Sequence, residues 1–197
     1  MAELTNVRVP LLGFAAASGT GKTTLLKQLI PLLKAQGLRI GLIKHSHHQA
    51  DIDHPGKDSY VLRQAGATPV MLSSSTRRAL IIEHETPAEP SLNEELRYFD
   101  QTAVDLILVE GFKRESFPKI ELCRAELVPP RLYQDDSHII AIATDQPLDI
   151  PAAIPQLDLN DAEAICRFIV HQYLGSTPAP ALRQAFPSEA RRDQGEQ

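Results

Sequence analysis

Residues 9–16, VPLLGFAA, are apolar at nearly every position and stop at a turn rich in Gly and Ser. So short a run, without alternation, predicts a strand buried on both faces. From Lys22 to Gln36, apolar residues recur at 25, 26, 29, 30, 32 and 33, the spacing of one helix face. Pro31 falls inside that helix and is expected to kink it, because it has no N–H to donate. Gly37 is a natural stop. RIGLIK (39–44) predicts a second strand, and Pro55 and Gly56 lead into a short helix from about Lys57 to Ala65. TPVMLSS and RALIIEH read as a strand pair joined by a basic turn, and 91–101 as a helix. AVDLILVEGF is another apolar strand. KIELCRA, HIIAIATD and a short AIPQLDL follow as strands. DAEAICRFIVHQYL closes the pattern as an amphipathic helix, with Asp161 as its N-cap.

Buried strands that alternate with helices predict an α/β fold of three layers, a sheet covered on both faces. The sheet is expected to be mostly parallel and partly mixed. The adjacent strands near 68–84, and those near 119 and 139 with no clear helix between them, point to some antiparallel pairing. After Gly175 the chain is polar, contains Pro and has no period. This divides it into a domain over 1–174 and a flexible tail over 175–197.

Composition narrows the function classes. The 197 residues suit one domain with a full core, and 43% hydrophobic with 23% charged is ordinary for a globular protein. A formal net charge of −5 argues against nonspecific binding to nucleic acid or an anionic membrane. No apolar stretch is long enough to span a bilayer, and the amino terminus lacks a signal-peptide layout. Cys123 and Cys166 lie far apart, as two reduced buried thiols. A cytoplasmic location is the expectation.

The chemistry begins in ASGTGKTT (17–24), set between strand and helix. Its glycines let the backbone approach a phosphate and aim N–H groups at it, and the helix N-terminus adds partial positive charge. This is a phosphate-binding loop, and with it the fold becomes that of a P-loop NTPase. Ser18, Gly19, Thr20, Gly21, Lys22, Thr23 and Thr24 are the candidate phosphate contacts. Lys22 would reach the terminal phosphates, and the Thr23 hydroxyl would ligand Mg²⁺. The pattern usually begins with Gly, whereas this chain has Ala16, at a strand end where a methyl is tolerable.

Such a loop needs a carboxylate at the end of a neighbouring strand. LILVEG provides Glu110 for the Mg²⁺ shell. Asp105, at the other end of that strand, is expected to be structural. After the second strand, KHSHHQADIDHPGKD (44–58) holds four of the seven histidines. Its position beyond a strand's carboxyl end favours a loop facing phosphate and Mg²⁺. Lys44 and His45 would then approach anionic oxygens, with Asp51 or Asp53 near the metal. A transition-metal site and a solvated polar loop are the alternatives. HIIAIATD ends at Asp145, which could accept two hydrogen bonds from the N1–H and N2–H₂ edge of guanine. The usual GTPase motif has Lys two residues earlier, where this chain has Ala143.

LLGFAAASGTGKTTLLKQLIPLL, GLIKHSHH, PGKDSYVLRQAGA, DLILVEGFK and IIAIATDQPLDI together closely resemble the MobB family of molybdopterin-guanine dinucleotide biosynthesis adaptor proteins. The resemblance runs from about Pro10 to Leu174. It implies a homodimer that binds GTP with Mg²⁺ and hydrolyses it weakly; by the chemistry of the loop, Lys22 would then be the catalytic cation, stabilising charge on the transferred phosphoryl group. It also implies that the chain assists a MobA-like nucleotidyltransferase, the guanylyltransferase that joins GMP to molybdopterin. Molybdopterin or a molybdoenzyme apoprotein is a further partner in that reading. More distantly, VEG after a P-loop is similar to dethiobiotin synthetase. In that group the matching places, Thr23, Asp51 or Asp53, and Glu110, hold Mg²⁺. Phe112 and Lys113 stand here instead of that enzyme's Gly-Gly continuation. An ATP-dependent small-molecule kinase or ligase of that group is the rival, and a nucleotide-ordered switch in 44–58 a third reading.

Overall fold

The computed structural model describes residues 4–46, 53–127 and 131–176. Asp51 and all but the start of the expected tail lie outside them. The chain divides into two compact units, His45–Ser91 and the remainder on either side of it.

The larger unit is built on a six-stranded sheet of order β2-β5-β1-β6-β7-β8. Its strands are β1 (Leu11–Ala16), β2 (Ile40–Lys44), β5 (Leu106–Glu110), β6 (Lys119–Cys123), β7 (Ile139–Thr144) and β8 (Gln156–Asp158). Every neighbouring pair is parallel. Leu12, Phe14, Leu106 and Leu108 face one side. They pack with Leu25, Leu26, Leu29 and Leu33 of α1 (Lys22–Ala35) and Ile165, Phe168 and Ile169 of the last helical segment. Leu11, Ile107, Val109 and Ile43 face the other side, against Leu92 and Leu96 of α3 (Leu92–Tyr98). Strand residues alternate between two buried faces, so the uniform apolar runs have their cause.

α1 runs unbroken through Pro31. Its end is closed by Gly37 N–H to Lys34 O (2.9 Å) and Leu38 N–H to Leu33 O (3.4 Å), the Schellman arrangement. The final helix α4 (Ala162–Arg167) starts where Asp161 accepts from Ala164 N–H at 2.8 Å, as expected of its N-cap. It widens to a π-helical turn over Phe168–Tyr173 before Leu174–Ser176.

One expectation is corrected. β6 and β7 pair parallel, from Lys119↔Ile139 to Cys123↔Thr144. The crossover contains a short 3₁₀ turn, Leu132–Gln134, where a helix of ordinary length would be expected. The buried Glu121 carboxylate fixes that turn by accepting the N–H groups of Leu132 (2.9 Å) and Tyr133 (2.8 Å). Leu132 and Tyr133 then pack on Cys123, Ile139 and Ile142. Among the described residues nothing antiparallel enters the large sheet. The antiparallel pair β3 (Val70–Ser73) and β4 (Arg78–Ile81) forms a separate two-stranded sheet in the smaller unit, beside α2 (Asp58–Gln64).

Candidate functional site

The loop after β1 and the start of α1 form the cradle. Gly19 (φ 80°) and Gly21 (φ 97°) both adopt the left-handed region, which a side chain would strain. A Cβ on Gly19 would meet nothing within 4 Å, so the requirement there is conformational. The first helical bond is Leu25 N–H to Gly21 O, 3.0 Å. The N–H groups of Lys22, Thr23 and Thr24 therefore stand before the ladder begins, and among the described residues no side chain caps them. Ser18, Thr23 and Thr24 are exposed at this mouth. Thr20 is turned inward: it is buried, and its hydroxyl donates to Ala17 O at 2.9 Å. Ala16 is buried at the strand end with its methyl in the core, so the missing first glycine is accommodated.

Glu110 ends β5, between the loop-bearing β1 and β2. Lys44 is its partner in register, and Phe14 of β1 is opposite on the other side. Its carboxylate lies 3.7 Å from Lys22 Nζ and 3.5 Å from Lys44 Nζ. Beyond Glu110 the chain turns through Gly111 (φ 103°) and Phe112 (φ 51°), whose ring is buried in the core. The next residue, Lys113, has its ammonium pushed below the ordinary lysine range, first by burial and then by the charge of Lys22. Lys22 and Lys44 thus share one carboxylate, and Lys113 lies within electrostatic reach of Lys22, an excess of positive charge suited to a polyanion. Sequence reasoning missed Lys113, although it directly follows VEGF.

Asp145 follows β7 on the same sheet end. Its Oδ1 accepts Ala125 N–H at 2.9 Å, and its Oδ2 lies 3.3 Å from Arg124 Nη1. The Ala125 hydrogen bond, then that of Arg124, hold its carboxyl below the usual range against the effect of desolvation. Arg124 also reaches the P-loop, donating from Nε to Thr20 O at 2.9 Å. It too was missed. No local pattern marks an arginine at a strand end as one that reaches 104 residues back.

His45 and Asp53 belong to the smaller unit. His45 Nε2 lies 3.6 Å from Glu89 Oε1. Asp53 is buried; its Oδ1 accepts from His54 N–H (3.0 Å) and the Ser59 hydroxyl (3.1 Å). Among the described residues its Oδ2 is buried without a hydrogen bond, 4.0 Å from Arg63 Nε. Among the described residues no three His, Cys, Asp or Glu side chains gather as a metal site. The expectation for Asp51 lies outside those residues.

A wholly parallel sheet with a glycine loop opening α1, a lysine on its first turn and an acid ending the adjacent strand defines a P-loop NTPase fold. The family model described as molybdopterin guanine dinucleotide synthesis protein B matches residues 11–145, and the chain belongs to that family. It is 51% identical over 164 residues to the molybdopterin-guanine dinucleotide biosynthesis adapter protein of Escherichia coli, covering 82% of this chain and 92% of that one. With the protein of the same name from Haemophilus influenzae it shares 44% over 174 residues, covering 87% and 95%. The crystal structure of a MobB protein homolog from Bacillus stearothermophilus superposes with a TM-score of 0.62 over 84% of this chain and 98% of that one. At 23% identity that likeness speaks to the fold.

Proposed function

We propose that this chain is a GTP-binding adaptor of molybdopterin-guanine dinucleotide biosynthesis, acting on a MobA-type guanylyltransferase. The observation that carries the nucleotide part is the cluster at the sheet end. Lys22 and Lys44 share Glu110 at 3.7 and 3.5 Å, beside helix N–H groups that no side chain caps among the described residues. Such long ion contacts are readily exchanged for phosphate oxygens. The adaptor part is supported by relatives of that name with which the chain aligns over most of its length.

The residues present fit GTP with Mg²⁺. The Thr23 hydroxyl and the Glu110 carboxylate would hold the ion, which when bound neutralises phosphate charge. Asp53, whose Oδ2 is buried without a hydrogen bond among the described residues, and Asp51 are the further carboxylates of that proposal. Ser18, Gly19, Thr20, Gly21 and Thr24 would hold phosphates through backbone N–H groups, with Lys44 and His45 as outer cations. Asp145 would read guanine. Lys22 would offset charge on the transferred phosphoryl group, giving at most slow hydrolysis, ~10⁻⁴–10⁻² s⁻¹ as in unassisted GTPases. The smaller unit exposes Val61, Leu62, Met71, Leu72, Leu80 and Ile82, which supports a protein contact there, and we assign it to a homodimer. Molybdopterin or a molybdoenzyme apoprotein would be the downstream partner, and the cytoplasm the site of action. Among the described residues no helix is long and apolar enough to cross a membrane.

Titration of the purified chain with GTP and with ATP, each with Mg²⁺, tests the nucleotide. A preference for GTP of about tenfold or more is expected. A pull-down with the guanylyltransferase, with GTP present and absent, tests the adaptor role. Fast phosphate release by the chain alone would favour the kinase or ligase alternative.

A further inference from the structure

Arg124 follows β6, the neighbour of β1 on one side and β7 on the other. Its guanidinium is spread over two targets. Nε donates to Thr20 O in the phosphate loop at 2.9 Å, and Nη1 to Asp145 Oδ2 at 3.3 Å. Nη2 lies so close to Gly21 that a Cβ there would come within 3.4 Å of it. The next residue adds Ala125 N–H to Asp145 Oδ1 at 2.9 Å.

We propose that Arg124 is the positioning residue that fixes the Asp145 carboxylate for a guanine base and ties it to the phosphate loop. This rests on the reading of the site as a GTP site and names what sets its base selectivity.

Hydrogen-bond capacity decides what Asp145 can accept. Guanine offers N1–H and N2–H₂ as two parallel donors, and both carboxylate oxygens must lie in the base plane to take them. An ionised carboxylate has about four acceptor directions. Ala125 N–H occupies one on Oδ1 and Arg124 one on Oδ2, so each oxygen is oriented and keeps a direction open. The same contacts keep Asp145 ionised. It then has no donor to give the acceptor N1 of adenine. β7 itself carries no cation for this task, since the place two residues before Asp145 is the fully buried Ala143. Arg124 supplies from the adjoining strand the charge that β7 lacks. Because one planar fork holds both loop carbonyl and carboxylate, the base end and the phosphate end are set relative to each other.

The test measures GTP, ATP and ITP affinities, each with Mg²⁺, for the full chain and for Arg124→Gln and Arg124→Lys. ITP lacks the 2-amino group. Wild type is expected to prefer GTP to ATP by about tenfold or more, and Arg124→Gln to bring this below about threefold. Most of the loss falls on GTP, and the margin of GTP over ITP shrinks with it. Arg124→Lys keeps the charge but not the fork, so it retains an intermediate ratio. Should the Gln variant not fold, the Lys variant decides, and an unchanged ratio there overturns the proposal. Equal losses of GTP and ATP would also overturn it, because they mean that Arg124 serves the loop alone. A wild type without preference removes the guanine reading itself, before any variant is compared.

Discussion

The two ends of β5 and β6 use the same chemistry, lysine beside carboxylate, in opposite ways. At the amino end, Lys119 is 1% exposed, and its Nζ donates to Glu115 O (2.6 Å), Phe117 O (3.1 Å) and Asp136 Oδ2 (3.0 Å). Three donors meet three acceptors, and the ammonium also sits 4.6 Å from the centre of the Phe117 ring. At the carboxyl end, Lys22 and Lys44 stand 3.7 and 3.5 Å from a single Glu110, and Lys44 is half exposed. Burial with every polar atom satisfied holds a structure together. Loose contacts around excess charge leave room for a ligand. The difference separates a lysine that belongs to the fold from the lysines of the proposed site.

The largest test of this contrast is Asp136→Ala. Leaving Lys119 buried without its counter-ion should cost about 3 kcal/mol in urea unfolding. Lys22→Ala in the same assay should stay within about 0.5 kcal/mol. Comparable losses from the two would erase the distinction.

Next comes binding. Lys22→Ala should lower GTP affinity about a hundredfold, or ~2.7 kcal/mol, by calorimetric titration. Normal binding by that variant would remove the proposed phosphate site. Glu110→Gln is expected to act through the metal, weakening binding about tenfold with Mg²⁺ and little without it. An equal effect in both conditions would make Glu110 a structural partner of its two lysines.

The smallest effect is on acid stability. Burial pushes the Asp136 carboxyl upward, but the His138 N–H and the Lys119 and His138 side chains together hold it below its ordinary range. A lowered carboxylate contributes stability that is fully present above its unfolded value, about 3.9, and is lost as pH falls through the lower folded value. Asp136→Asn should therefore flatten the fall in stability below about pH 4, measured by unfolding at stepped pH. A wild-type acid limb as flat as the variant's would contradict this.

Much of the fold was legible because it is local. Uniform apolar runs marked β1, β5 and β7, the 3.6-residue spacing marked α1, and Asp161 marked the start of α4. The parallel pairing of β6 and β7 was not legible. The sequence cue was a missing helix, whereas the described part of the crossover holds a 3₁₀ turn pinned on a buried Glu121. In the proposed site, Lys22 and Glu110 were legible because loop spacing and strand ends are local signals, and their side chains lie 3.7 Å apart.

The order of residues alone determined the cradle. Glycine at 19 and 21 permits the left-handed backbone the loop adopts, and the apolar spacing after Lys22 marks the helix it opens. Tertiary structure alone decided what surrounds it. Strand order β2-β5-β1-β6-β7 brings Lys44, Glu110, Arg124 and Asp145 to the carboxyl end of the sheet. Arg124 and Thr20 are 104 residues apart in the chain and 2.9 Å apart in space. Such contacts depend on register and on the packing of neighbouring strands, which no local pattern of residues encodes.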